Sequence, residues 1–189
     1  MSAARARLFI ALDLPPAVRT SLNQWGSLAA TTVRAAGGKP RLVDSQALHI
    51  TICFLGSRPV QEIDPLCDAV RALTDTEVGM LSLGAPLWLP PRRPRVLAVE
   101  VHDGRGDLAD LHKKLRLGLG AICELQNERR RFRPHVTVAR MGRGDTPGER
   151  ALTATPALEF SPHALVLYRS WLSPEGATYE PLERALLAG

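Results

Sequence analysis

FRPHVTVAR, Phe132 to Arg140, and LHITICFLG, Leu48 to Gly56, share one arrangement: a His and a Thr two residues apart inside an apolar run. Successive side chains of a β-strand point to opposite faces. Leu48, Ile50, Ile52 and Phe54 then face a core, while His49 and Thr51 project together from the other side. Val136 and Val138 oppose His135 and Thr137 in the same way, so each strand presents one imidazole and one hydroxyl. The same alternation puts Cys53 on the face of His49. It gives Arg140 the parity of Val136 and Val138, so Arg140 reaches the histidine face only where the strand ends or bulges before it.

Outward from these strands, RLFIALDL (Arg7 to Leu14) reads as a strand closed by Pro15-Pro16, with Leu8, Ile10 and Leu12 toward the core and Phe9 and Ala11 on the other face. Val18, Leu22, Trp25, Ala29 and Val33 then recur at helical spacing as far as Gly37-Gly38. The His49 strand covers Ala47 to Leu55, and Ile63, Leu66, Cys67, Val70 and Leu73 mark a second helix. Strands at Val78 to Leu83 and Val96 to Val101 flank a Pro- and Arg-rich loop, APLWLPPRRPR. Leu108, Leu111, Leu115, Leu119 and Ile122 outline a third helix before the His135 strand. Pro134 lacks a ladder donor, which places the start of that strand at an edge or an end. After a Gly-rich loop, GRGDTPG, a last strand spans Leu165 to Leu172 and a short helix, Pro181 to Leu187, closes the chain. The order strand, helix, His-x-Thr strand thus occurs twice, from Leu8 to Leu55 and from Val96 to Arg140, which points to two similar lobes. No Gly-rich phosphate loop follows the first strand, so an α+β fold is expected and a nucleotide-binding parallel sheet is not.

With 189 residues, 45% of them apolar, the chain suffices for one sizeable core and is expected to form a single domain over residues 1–189. No apolar run approaches the ~20 residues of a membrane span, and the apolar part of MSAARARLFIALDLPP is too short for a secretion signal, so a cytoplasmic protein is expected. Cys53, Cys67 and Cys123 form no CxxC pair; neither a disulfide framework nor a zinc knuckle is indicated, and they read as small buried hydrophobes. The net charge is +5, and 21 of the 24 basic residues are Arg. The planar guanidinium fork matches phosphate, which tilts the partner toward nucleic acid or nucleotides.

Two imidazoles and two hydroxyls converging on one cleft suit a phosphodiester. A neutral His takes a proton from water as it attacks phosphorus, and a protonated His gives one to the departing oxygen. The Thr hydroxyls donate hydrogen bonds to the non-bridging oxygens as charge gathers there. A cyclic phosphate asks for nothing more, because its strained ring lowers the demand on the catalyst. Neither a metal nor another cofactor is expected: no carboxylate or Cys stands at ligand spacing beside either His, and each strand offers one strong ligand. His102, His112 and His163 lie outside the pattern, and the GxSxG elbow of a Ser nucleophile is absent.

The paired HITI (49–52) and HVTV (135–138) tetrads resemble the HxTx signatures of the 2H phosphoesterase superfamily. Within it, RLFIALDLP, LHITICFLG, RPHVTVAR and LYRSWLSPEGATYEPL are similar, in order, to blocks of the bacterial and archaeal RNA 2′,3′-cyclic phosphodiesterases, also called 2′-5′ RNA ligases. The resemblance implies a bilobal α+β fold with pseudo-twofold symmetry, each lobe an antiparallel sheet backed by helices, with the cleft between them. It implies hydrolysis of RNA 2′,3′-cyclic phosphate ends to 2′-phosphomonoesters, with a reversible 2′-5′ RNA ligase activity of the same residues beside it. It further implies that His49 is the proton donor to the 3′ oxygen, that His135 accepts the proton of the attacking water, and that Thr51 and Thr137 assist. By the same resemblance, Phe9 and Arg140 hold the terminal base from both sides, a sequence-tolerant mode of binding. Arg133, beside Arg129, Arg130 and Arg131, is a further candidate contact for RNA, as are Arg92, Arg93 and Arg95. The partners expected are RNA ends bearing the cyclic phosphate, or cyclic nucleotides, met by a monomer away from membranes. Two other readings stay open: an RNA-end binding module without catalysis, and a phosphodiesterase for another cyclic phosphate.

Overall fold

Both His-x-Thr strands lie at the middle of one antiparallel sheet. The structure, a computed structural model, describes residues 4–125, 131–142, 144–148, 150–173 and 176–188. In chain order its elements are β1 (Arg5–Asp13), α1 (Pro16–Ala35), β2 (Pro40–Leu42), β3 (His49–Pro59), α2 (Ile63–Arg71), β4 (Leu81–Leu89), β5 (Val96–Asp103), α3 (Asp107–Gly120), β6 (His135–Met141), β7 (Glu159–Phe160), β8 (Ala164–Ser173) and β9 (Gly176–Leu186). The strand order is β7-β4-β5-β6-β3-β1-β8-β9, with β2 added on β6. β3 and β6 meet through the pairing of Ile50 with Val136, and four strands stand on each side of that seam.

The two sides match residue by residue. Phe9, Ile10, Ala11, Leu12 and Asp13 of β1 pair with Phe54, Cys53, Thr51, Ile50 and His49; Val96, Leu97, Ala98, Val99 and Glu100 of β5 pair with Arg140, Ala139, Thr137, Val136 and His135. Both registers shift at the residue after the Thr, so that Ile52 in one strand and Val138 in the other have no partner in these ladders. A bulge of this kind gives two consecutive residues the same facing. Ile52 and Cys53 are accordingly both buried, as are Val138 and Ala139.

The helices tie the two sides together. The apolar stripe of α1 (Val18, Leu22, Trp25, Ala29, Val33) is buried, and α1 packs on β2 and β6, across the seam from the strand that precedes it. A Cβ placed on Gly26 lies 3.6 Å from Val138 Cβ and from Leu42 Cδ2, which marks the line of contact. In return α3 buries Leu108, Leu111, Leu115 and Leu119 and packs on β3 and α2. Removing a Leu side chain from water contributes about 1.5–3 kcal/mol, so the four leucines of α3 alone hold the halves firmly.

Most of the expected elements are present within a few residues, and two expectations need correction. The segment Pro181 to Leu187 is no helix: all but its last residue lies in β9, paired with β8 on both sides of a bulge at Leu182. Seven residues cannot nucleate a stable helix alone, whereas a hairpin supplies a partner at once, and Pro181 is tolerated because β9 is the edge of the sheet. Much of APLWLPPRRPR is likewise strand, since β4 runs to Leu89. Pro86 fits there because it sits at a register shift, on a strand whose outer side pairs with β7 only at Leu81 and Ser82. Among the described residues no helix is long and apolar enough to cross a membrane. Of the cysteines, Cys53 and Cys123 are buried, Cys67 is half-buried, and none of the three is in a disulfide.

Candidate active site

The seam pairing of Ile50 with Val136 fixes what surrounds it. Extending that antiparallel register by one residue each way sets His49 opposite Thr137 and Thr51 opposite His135, all four on the face opposite the buried Ile50 and Val136. The two sequence motifs therefore stand as one constellation around a local twofold axis, and all four side chains are half-buried.

Each imidazole is held the same way. His49 Nδ1 lies 2.8 Å from the carbonyl oxygen of Ala47, and His135 Nδ1 lies 2.8 Å from that of Arg133. A carbonyl only accepts, so Nδ1 carries the hydrogen in both rings and Nε2 is left for chemistry. His49 Nε2 is 3.0 Å from Thr51 Oγ1, which donates to it in the neutral ring. Burial pulls the pKa of His49 down to about 4; the positive charge of Arg140 adds to this, while the Ala47 hydrogen bond and Asp13 oppose it. With that pKa His49 is neutral at pH 7.

An aromatic cage packs behind His49. Its ring centroid is 4.9 Å from Phe9 and 5.4 Å from Tyr179, and Phe9 stacks on Tyr168 at 5.2 Å. Tyr168 donates its hydroxyl to Asp13 Oδ1 at 2.5 Å, and Arg184 and Arg19 also bind that carboxylate. Burial and the Asp13 hydrogen bond both raise the Tyr168 pKa, so the phenol stays protonated. Phe9 is only 4% exposed and packs among His49, Tyr168 and Tyr179, and it borders the cleft cavity.

Phe54, expected in the core, lines the cleft and is the most exposed of its aromatic side chains. The bulge at Ile52 reverses the parity of Cys53 and Phe54, ahead of a second register shift at Leu55, so Phe54 is 44% exposed and Cys53 takes the core position. The bulge at Val138 does the same for Arg140, which is exposed and lines the cleft beside His49 and Thr51. Phe54 and Arg140 are twofold mates, five residues after their respective histidines. The cavity they share is about 1180 Å³ and also reaches Phe9 and Tyr179. Arg7 closes one side of Phe54, its guanidinium carbon 4.5 Å from the ring centroid.

Arg133 is exposed; its guanidinium pairs with Glu100 at 2.9 Å, and its backbone carbonyl accepts from His135 Nδ1. Arg129 and Arg130 lie outside the described residues, and Arg131 is exposed. His112 stacks on Phe132 at 4.5 Å, away from the motifs. Among the described residues no three His, Cys, Asp or Glu side chains group as metal ligands.

Phe54 was hidden in the sequence because strict alternation buries it; the only signal was that its twofold mate, Arg140, breaks the apolar pattern at the same offset from its histidine. Tyr168 and Tyr179 carried no pairwise signal, since the β8–β9 register that brings them to Phe9 is a tertiary fact.

Comparison with known proteins agrees with this geometry. A family model described as the 2′-5′ RNA ligase superfamily matches residues 15–171. The chain is 31% identical to a Thermus thermophilus protein named RNA 2′,3′-cyclic phosphodiesterase, over 97% of this chain and 91% of that one. It is 27% identical to an Escherichia coli protein of the same name, over 94% of each. The crystal structure of TT0787 from T. thermophilus superposes with a TM-score of 0.78 at 29% identity, covering 97% of this chain and 98% of that one. That of E. coli LigT complexed with 3′-AMP gives 0.76 at 25% identity, covering 98% and 100%. Motif, sheet order and likeness along nearly the whole chain converge, and the chain belongs to the 2′-5′ RNA ligase superfamily.

Proposed function

We propose that this chain hydrolyses RNA 2′,3′-cyclic phosphate ends to 2′-phosphomonoesters by two-histidine acid–base catalysis, the single chain acting as one bilobal unit in the cytoplasm. The observation that carries this is the matched anchoring of two imidazoles, each with Nδ1 tied to a backbone carbonyl and Nε2 left for chemistry, one on each side of the seam. A binding module has no use for two such groups. Relatives bearing the activity in their names support the same conclusion.

The terminal base lies between the Phe54 ring and the Arg140 guanidinium, with the cyclic phosphate below it at the seam. Thr51 and Thr137 donate to the non-bridging oxygens. His135 Nε2 accepts a proton from water as the water oxygen bonds to phosphorus; the bond from phosphorus to O3′ breaks, and His49 Nε2–H protonates O3′. The product is a 2′-phosphomonoester with a free 3′-hydroxyl, and the two histidines have exchanged protonation states. The lowered pKa of His49 fits this sequence because a phosphate anion beside the ring favours its protonated form and readies it for the acid role. With a 5′-terminal hydroxyl in place of water as the nucleophile, the same groups join strands through a 2′-5′ link as the bond from phosphorus to O3′ breaks, and the reversal of that step cleaves the link.

The test is turnover of a nucleoside 2′,3′-cyclic phosphate in excess EDTA, with the product phosphate located by ³¹P NMR. Wild type is expected to give the 2′-monophosphate, and His49→Ala and His135→Ala each to lose about 10²–10⁴-fold in rate while keeping their fold. A 3′-monophosphate product would reverse the bond polarity, and undiminished turnover by either variant would refute the mechanism.

A further inference from the structure

We infer that RNA on the 5′ side of the reacting end leaves the cleft across a basic band formed by Lys39 and Arg41 at β2, Arg140 on β6 and Arg95 just ahead of β5, so that the protein recognises an oligonucleotide and not only its last residue. This rests on the hydrolase reading above.

The band is a product of sheet register. β6 borders β3 at Val136 and then exchanges that neighbour for β2 at Ala139 to Met141. Arg41 therefore stands directly across from Arg140 on one side of β6, and Val96 stands across from it on the other. Arg95 precedes Val96, donates from Nη1 to the Gly142 carbonyl at 2.8 Å and accepts from Met141 N at 2.8 Å. Three adjoining strands thus bring basic side chains to one level of the sheet. Two like charges placed opposite each other on neighbouring strands disfavour the fold, and a polyanion lying over them removes that penalty.

The cavity beside His49 opens onto this band. Lys39, Arg41, Met141 and Gly142 all line it, and its lining holds four basic side chains against two acidic ones, Asp44 and Asp145. At about 1180 Å³ it exceeds the ~300–1,000 Å³ that accommodates a drug-sized ligand, leaving room for more than the terminal nucleotide. Beyond Arg95 the same edge continues into the exposed Arg92 and Arg93. Guanidinium forks spaced along an open edge suit successive phosphodiesters without regard to base.

The experiment compares adenosine 2′,3′-cyclic phosphate with di- and tetra-adenylates ending in the cyclic phosphate, for wild type, K39Q/R41Q and R95Q, with fluorescence anisotropy of a labelled tetra-adenylate over a salt series alongside. Wild type is expected to favour the tetranucleotide at least 10-fold in kcat/KM. K39Q/R41Q is expected to lose most of that advantage with the mononucleotide rate within twofold of wild type, and R95Q to lose part of it. The slope of log affinity against log salt is expected to become shallower by about 1.4 in the double variant, at ~0.7 per phosphate contact on a single strand. A wild type indifferent to length, or a double variant that loses mononucleotide and tetranucleotide turnover equally while its melting temperature is unchanged, overturns the band. Absence of turnover on every substrate overturns the hydrolase reading instead, and the anisotropy slope then still decides the band.

Discussion

Acid sensitivity of the fold should trace to one side chain, His49. Its pKa in the folded chain is about 4 against an ordinary 6.5, with burial the largest cause. Between those values the unfolded chain binds a proton that the native one excludes, so stability falls as pH drops from about 6.5 to 4 and is regained on returning to neutrality. The span amounts to roughly 3 kcal/mol at most. Chemical denaturation at pH 7 and pH 4.5 should show that loss in wild type and a smaller one in His49→Asn, which cannot take up the proton; equal losses would place the acid sensitivity elsewhere. A second contrast separates the two phenylalanines. Phe54→Ala should raise KM for a cyclic nucleotide about 10-fold or more by removing a stacking face worth about 1–3 kcal/mol, with melting temperature nearly unchanged. Phe9→Ala should instead unfold at lower temperature and lose kcat, since it empties the packing behind His49. The reverse pattern would make Phe9 the base platform.

The decisive device at the level of elements is the bulge after each Thr. It brings Arg140 to the face of His135 and carries Phe54 out of the core, and no parity count along a regular strand anticipates it. What was legible in the sequence was therefore the constellation up to Thr51 and Thr137, because alternation holds that far, together with the three helices, whose apolar stripes are long enough to be unambiguous. The strand character of Pro181 to Leu186 and of Ala85 to Leu89 was not legible: each depends on a partner strand distant in sequence or brought back by a hairpin, and local composition argued against both. Gly26 offers a test of the α1–β6 contact. It is buried in mid-helix, where Gly costs about 0.5–1 kcal/mol relative to Ala, and an added Cβ meets Leu42 and Val138 at an ordinary 3.6 Å. Gly26→Ala should raise the melting temperature by a few degrees, and a decrease would show that the helix sits closer to β6 than this geometry has it.

For the molecule as a whole, the exchange of helices across the seam makes the halves interdependent. With α1 on β6 and α3 on β3, neither half can lose its packing without opening the other. Thermal unfolding should be a single transition, coincident by near- and far-UV circular dichroism, with calorimetric and van't Hoff enthalpies equal. Two resolved transitions would show that the halves melt independently. The seam itself has a further consequence for the direction of reaction. Around Ile50 and Val136 the reacting groups are related by a local twofold, so the imidazole placed to act as acid when a 2′-5′ link forms is matched by one across the seam to act as acid when that link is broken. Only what breaks the rotation distinguishes the two ends of a substrate: an aromatic wall at Phe54 facing a cationic one at Arg140, and Asp13 bound within the Tyr168–Arg184 cluster where its mate Glu100 holds a surface arginine. The arrow of the reaction is written in the periphery, and swapping those unequal neighbours, with every histidine and threonine left in place, is the change that would turn the substrate around.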